Sequence, residues 1–172
     1  LDKDGDLDVL IVGNDGGSGQ GYAINDGSQN FTIHQLTGVV ISSIKGSDID
    51  QDGDIDIIAG HATGIKWFEN TGFNSDGSGN FSVSDIYSAS DVYASKLIIL
   101  DLDEDGDLDI ISDDYQYIDS DQYRNGDADN LNWYENDGAE SFSVSTVANG
   151  FQTIRDIITT DLDDDGDLDI LL

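Results

Sequence analysis

"DLDEDGDLDII", residues 101–111, sets aspartates at every second position around a single glycine and then runs directly into aliphatic residues. The stretch recurs as "DIDQDGDIDII" from Asp48 and "DLDDDGDLDIL" from Asp161, and the chain opens on a clipped copy, "LDKDGDLDVL". The glycines of the four copies, Gly5, Gly53, Gly106 and Gly166, lie 48, 53 and 60 residues apart. Self-similarity at such a period marks a repeat architecture.

Two further landmarks follow the acidic motif. The first is an aromatic run ending in Asn-x-Gly: "GYAINDG" from Gly21, "KWFENTG" from Lys66 and "NWYENDG" from Asn132. The second is a phenylalanine with alternating partners: "NFTIHQL" from Asn30, "NFSVSDI" from Asn80 and "SFSVSTV" from Ser141. These runs are short, rich in β-branched and aromatic residues, and bounded by Asn and Gly, which is the signature of strands and tight turns. Four strands per unit are expected; in the third unit they are "SKLIILD", "LDIIS", "NWYEN" and "SFSVSTV". The predicted fold is all-β: four-stranded antiparallel units of the β-propeller blade type, about three of them plus a partial one, forming an open or partial propeller. One repeat array spans 1–172, with an incomplete first unit over 1–40, a second over 41–90, a third over 91–150 and a partial fourth over 151–172. The third unit carries a long insertion, 113–130, whose Tyr115, Tyr117 and Tyr123 suit either a solvated loop or a binding surface.

The chain has 37 acidic residues against 6 basic ones, for a net charge of -31 over 172 residues. Phosphate binding needs Lys and Arg, so nucleic acid is not an expected partner, nor is an anionic membrane surface. No apolar run approaches the roughly 18 residues of a membrane span. Disorder is not expected, because hydrophobic residues make up 37% of the chain and cluster in compact runs. Bound cations are the remaining way to neutralise so much charge. Cysteine is absent and so is methionine, position 1 included, which suggests a processed piece or a window from a longer protein.

Numbering each motif from its first aspartate puts Asp101, Asp103 and Asp105 at positions 1, 3 and 5, Gly106 at 6, Asp107 at 7 and Asp109 at 9. The calcium loop of the EF-hand uses the same early positions, with glycine at 6 and a backbone carbonyl at 7. Alternate side chains around a tight loop converge on one point, and an ion there cancels their repulsion. Position 8 is apolar in every copy (Leu7, Ile55, Leu108 and Leu168) and is expected to anchor the loop to the core. The bidentate Glu of the EF-hand has no counterpart: its place is taken by Ala59, Ser112 and Leu172. The all-oxygen donor set favours calcium over zinc.

With its acidic motif and the aromatic-Glu-Asn-x-Gly turn in register, the chain resembles the FG-GAP/VCBS repeats of bacterial secreted proteins, relatives of the integrin alpha-subunit propeller. The resemblance implies calcium in hairpin loops between the first and second strands of each unit. It carries over as ligands Asp48, Asp50, Asp52, Asp54 and Asp56 in the second copy, and Asp101, Asp103, Asp105, Asp107 and Asp109 in the third. In the fourth they are Asp161, Asp163, Asp165, Asp167 and Asp169, and in the truncated first copy Asp2, Asp4, Asp6 and Asp8. The position-7 members would act through backbone oxygens. Three complete loops and one truncated loop would therefore hold Ca²⁺.

Trp67 and Trp133, with Tyr22 as the first-unit equivalent, suit packing between units or a stacking platform for sugars. Phe31, Phe81 and Phe142 are expected in the core. His34 and His61 have no evident partner, Asn30 and Asn80 match the glycosylation acceptor pattern, and no nucleophile, phosphate-loop or metal-hydrolase motif appears. An enzyme is not expected. The expected role is that of a secreted or cell-surface region, architectural or adhesive, with a protein or glycan ligand. Two alternatives stand beside it: the building unit of an extracellular filament, and a non-catalytic accessory region of a secreted polysaccharide-degrading enzyme. Incomplete end units are expected to be covered by further repeats of a longer chain or by neighbouring copies, as a homo-oligomer or filament.

Overall fold

The computed structural model describes residues 1–13, 19–90, 92–116, 129–151 and 153–172. Among them there is no helix, and every strand pairing is antiparallel. The first sheet runs β1 (Val9–Ile11), β2 (Gly21–Asn25) and β3 (Phe31–Gln35). The second is a four-stranded meander of β4 (Ile41–Ser47), β5 (Asp56–His61), β6 (Gly64–Phe73) and β7 (Gly79–Ser88). The third repeats it with β8 (Val92–Leu100), β9 (Asp109–Gln116), β10 (Asp129–Asn136) and β11 (Phe142–Phe151). A two-stranded sheet of β12 (Ile158–Thr160) and β13 (Asp169–Leu171) follows. Tyr117 and Tyr123 of the insertion lie outside the described residues, as does the side chain of Tyr115.

Consecutive sheets are held together face to face, and strand alternation explains how. Side chains along a strand point to opposite faces in turn. On β5, Ile57 and Ala59 therefore face the first sheet, where they join Tyr22, Ile24, Leu36, Ile41 and Phe68 in one core. Ile58 faces the other way and joins Ile49, Ile65, Trp67, Ala94, Leu97, Ile110 and Tyr134 between the second and third sheets. Ile110 and Ile111 divide in the same manner, Ile111 entering a third core with Leu131, Ile154 and Ile157. A fully buried isoleucine contributes about 1.5–3 kcal/mol, so the junctions between sheets are the main source of stability. The second and third sheets also meet backbone to backbone: a Cβ on Gly60 would lie 2.3 Å from the Ala94 carbonyl oxygen, so only glycine fits there.

Trp67 and Tyr22 are buried in these junctions, and Trp133 is half-buried against the third core. Their rings serve packing, and the Trp67 ring offers no free face to a sugar. The expectation for Phe31 is corrected: Phe81 and Phe142 pack against the first and second cores, but Phe31 is 50% exposed. All three sit on the face turned toward the preceding sheet, and among the described residues no sheet precedes the first. The histidines do have partners. His34 stacks on Tyr22 at 5.2 Å between ring centroids, and His61 Nδ1 lies 3.2 Å from the Thr63 hydroxyl.

The third sheet buries an acidic group that has no equivalent in the second. Asp113 accepts hydrogen bonds from the Ser95 hydroxyl (2.7 Å) and backbone N–H (3.0 Å) and from the Lys96 backbone N–H. Burial pushes its pKa up to about 6 against the pull of these donors. Asp114 accepts from Tyr134, Asn132 and Ser112, and burial raises its pKa as well.

Candidate metal centre

All four acidic loops share one backbone conformation. Position 4 is left-handed in each, with φ of 63° at Lys3, 59° at Gln51, 62° at Glu104 and 60° at Asp164. Position 6 is glycine with φ of 96°, 90°, 99° and 102°. Glycine tolerates such angles freely, whereas the position-4 residues do so at a cost. The side chains repay it by capping their own loop, as aspartates do in tight turns. Position 1 accepts from the N–H of the position-6 glycine: Asp48 from Gly53, Asp101 from Gly106 and Asp161 from Gly166, each at 3.1 Å. Position 5 accepts from the position-7 N–H: Asp4 from Asp6 (2.9 Å), Asp52 from Asp54 (2.7 Å), Asp105 from Asp107 (2.9 Å) and Asp165 from Asp167 (3.0 Å). Position 3 accepts from position 5 in the first three loops, through Asp2, Asp50 and Asp103.

In the second and third loops each of these carboxylates thus spends one oxygen on the backbone and leaves the other free of it, whereas Asp161 spends both, Oδ1 on the Asp165 N–H and Oδ2 on the Gly166 N–H, each at 3.1 Å. Asp48, Asp50 and Asp52 bring carboxylate oxygens within 4.8 Å of one another, as do Asp101, Asp103 and Asp105, and Asp161, Asp163 and Asp169. At the centre, Oδ1 of Asp48 and Oδ1 of Asp101 are buried with no hydrogen-bond partner. A buried, unpaired carboxylate oxygen is costly, and a hard divalent cation is the group that satisfies it. The donor set fits such an ion. The Asp50 pKa is raised, first by burial and then by the charges of Asp52 and Asp48.

The remaining sequence-derived site residues are placed differently. At position 9, Asp56 and Asp109 are fully buried and tie the loop to the third strand of the unit. Asp56 accepts from the backbone N–H of Asn70 (2.7 Å) and Ile49 (3.4 Å), and Asp109 from Asn136 (2.8 Å) and Leu102 (3.2 Å). Asp8 accepts from Asn25 (2.9 Å) in the same way, and Asp169 from Leu162 (2.9 Å). Burial pushes Asp56 up to about 6; the Asn70 N–H and the Trp67 indole, which approaches without closing a well-formed hydrogen bond, pull it down. At position 7, Asp54 reaches Lys3 and Asp107 reaches Gln51. The Asp6 and Asp107 carboxylates also press on the turn glycines: a Cβ on Gly27 or Gly138 would lie 2.3 Å from them. Asp2, Asp4, Asp6 and Asp8 form no three-carboxylate group among the described residues. Asp165 and Asp167 lie outside the group formed by their loop.

The anchor expected at position 8 is corrected. Leu7 is 87% exposed, Ile55 and Leu168 are also exposed, and only Leu108 packs partly into a core. Position 2 holds the first three loops down instead: Ile49 is 2% exposed, and Leu1 and Leu102 pack against the first and third cores, while Leu162 of the fourth loop is exposed. Position 8 contributes its carbonyl, which accepts from the Asn-x-Gly asparagine: Leu7 from Asn25 (3.3 Å), Ile55 from Asn70 (3.1 Å) and Leu108 from Asn136 (3.2 Å). The same Nδ2 reaches across to the preceding loop, from Asn70 to Leu1 O and from Asn136 to Ile49 O, both 3.3 Å. The asparagine is therefore a strut between neighbouring loops as well as a turn residue.

Residues 48–112 match the family model described as the FG-GAP-like repeat. The chain carries an FG-GAP-like repeat. The FG-GAP-like segment starts at position 1 of the second loop and ends three residues past Asp109. It takes in the core between the second and third sheets through Ile49, Ile58, Ile65, Trp67, Ala94, Leu97 and Ile110. No curated protein and no solved structure matches the chain.

Proposed function

We propose that this chain is a calcium-stabilised, extracellular β-repeat region, non-catalytic, that holds a rigid surface for adhesion to a protein or glycan. The observation that carries the calcium reading is the unpaired, buried Oδ1 of Asp48 and of Asp101, repeated at the same position of two loops and surrounded by carboxylates. The FG-GAP-like match supports an extracellular setting. Among the described residues no helix is long and apolar enough to cross a membrane.

The third loop provides the test. Asp105 holds its carboxylate in the group with Asp101 and Asp103, whereas the Asp107 side chain is turned to Gln51 and Gly138. Asp105→Ala is expected to weaken calcium binding at that loop at least tenfold more than Asp107→Ala, measured by titration calorimetry. Equal losses would refute the ligand assignment.

Association with further repeats or neighbouring copies is the second reading, favoured by apolar residues left open at both ends of the sheet series. Leu7, Val9, Phe31 and Ile33 are exposed on the first sheet or its loop, and Ile158, Leu162 and Leu171 on or beside the last. At the internal junctions, the counterparts of Val9, Ile57 and Ile110, are completely buried. In millimolar calcium the chain is expected to sediment as a species heavier than 18.5 kDa. A stable monomer of that mass would rule out self-association.

A further inference from the structure

In the first two loops the left-handed residue at position 4 turns its side chain out of its own loop and onto the next one. Lys3, at position 4 of the first loop, places Nζ 2.8 Å from Asp54 Oδ1 of the second. Nζ also stands over the turn of that loop, 3.9 Å from where a Cβ on Gly53 would lie. The Lys3 pKa is raised, first by the hydrogen bond to Asp54, then by the charges of Asp54, Asp52 and Asp48. Two of these, Asp48 and Asp52, belong to the carboxylate group of the second loop. At the following junction Gln51 takes the same place, its Nε2 donating to Gly106 O (2.8 Å) and Asp107 Oδ1 (3.0 Å) of the third loop. The geometry is thus repeated while the charge is not: an ammonium faces the second loop and a neutral amide faces the third.

We infer that the residue at position 4 of one loop sets the calcium affinity of the following loop, so that Lys3 weakens the second site while Gln51 leaves the third at full strength. This rests on the calcium reading of the loops. A cation entering the second loop meets a positive charge already paired with Asp54, at position 7 of that loop. For a divalent ion and an ammonium about 6 Å apart in water, repulsion is worth about tenfold in affinity at low ionic strength and about threefold at physiological salt. The same ammonium offsets carboxylate repulsion when calcium is scarce, so the second loop keeps its shape at calcium levels where the third depends on its ion. The two loops therefore fill in order, the third before the second.

The experiment is calcium chloride titration by calorimetry of the whole chain, the Lys3→Gln variant, and both again with Asp50→Asn, which disables the second loop. Lys3→Gln copies the amide of the next junction and removes only the charge; Lys3→Arg keeps the charge. Lys3→Gln should tighten one site about threefold at physiological salt and more at low salt. The gain should vanish in the Asp50→Asn background, and Lys3→Arg should bind as the unaltered chain does. No change on Lys3→Gln, or a gain that survives Asp50→Asn, would overturn the inference while leaving the calcium sites standing. Absence of calcium binding by the unaltered chain would instead remove the calcium reading itself, and this inference with it.

Discussion

Chelating calcium from the chain with EGTA is expected to lower its melting temperature by about 10 °C. Three loops bring three carboxylates each within 4.8 Å. A site filled to ten times its dissociation constant stabilises the folded state by about 1.4 kcal/mol, so three contribute about 4. For a domain of this size each kcal/mol moves the midpoint by about 2–4 °C. The loss acts beyond the loops, because positions 2 and 9 connect them to the cores: Ile49 lies in the junction between the second and third sheets, and Asp56 and Asp109 bind the third strands. Extracellular calcium modules bind with dissociation constants of about 10⁻⁴ to 10⁻³ M, so the shift should appear as calcium falls through the millimolar range. An unchanged thermal transition in EGTA, followed by circular dichroism, would show that the loops stand without an ion.

Asn136→Ala is expected to cost about 3 kcal/mol or more, a drop in melting temperature of about 10 °C. The side chain is 4% exposed and makes three hydrogen bonds, donating to Leu108 O and Ile49 O and accepting from the Gly138 N–H. Removing it strands the buried Ile49 carbonyl and the half-buried Leu108 carbonyl and frees the Gly138 N–H of an exposed turn, and each unsatisfied buried group costs about 1–3 kcal/mol. Asn70→Ala should behave alike, since Asn70 bridges Leu1 O, Ile55 O and Gly72 N–H. Asn25 is the internal control. It is half-buried and makes only the bonds within its own unit, to Leu7 O and from Gly27 N–H. Asn25→Ala should cost about 1 kcal/mol. Equal losses at the three positions in a denaturant titration would mean that the strut between loops carries no weight.

The strands and the loops were legible in the sequence, because both are local. Alternating aspartates with a glycine at position 6 specify one tight turn wherever they occur, and the β-branched runs beside them specify extended chain. The repeat of the two landmarks gave the antiparallel order, and the four-stranded second and third sheets follow it strand for strand. Which apolar residues are buried depends instead on how the sheets pack. Leu7 and Ile49 look equally hydrophobic in the sequence, yet the first is open and the second is core, since the turn points position 8 outward and position 2 into the next sheet. Phe31, Phe81 and Phe142 are alike in register and differ only in whether a sheet lies against them. The struts of Asn70 and Asn136, and the reach of Lys3 and Gln51 into the following loop, span 69, 87, 51 and 56 residues of chain. Local pattern carries no trace of such contacts. They exist because stacking the sheets on their apolar faces brings each loop against the next, and that stacking is a property of the packed molecule.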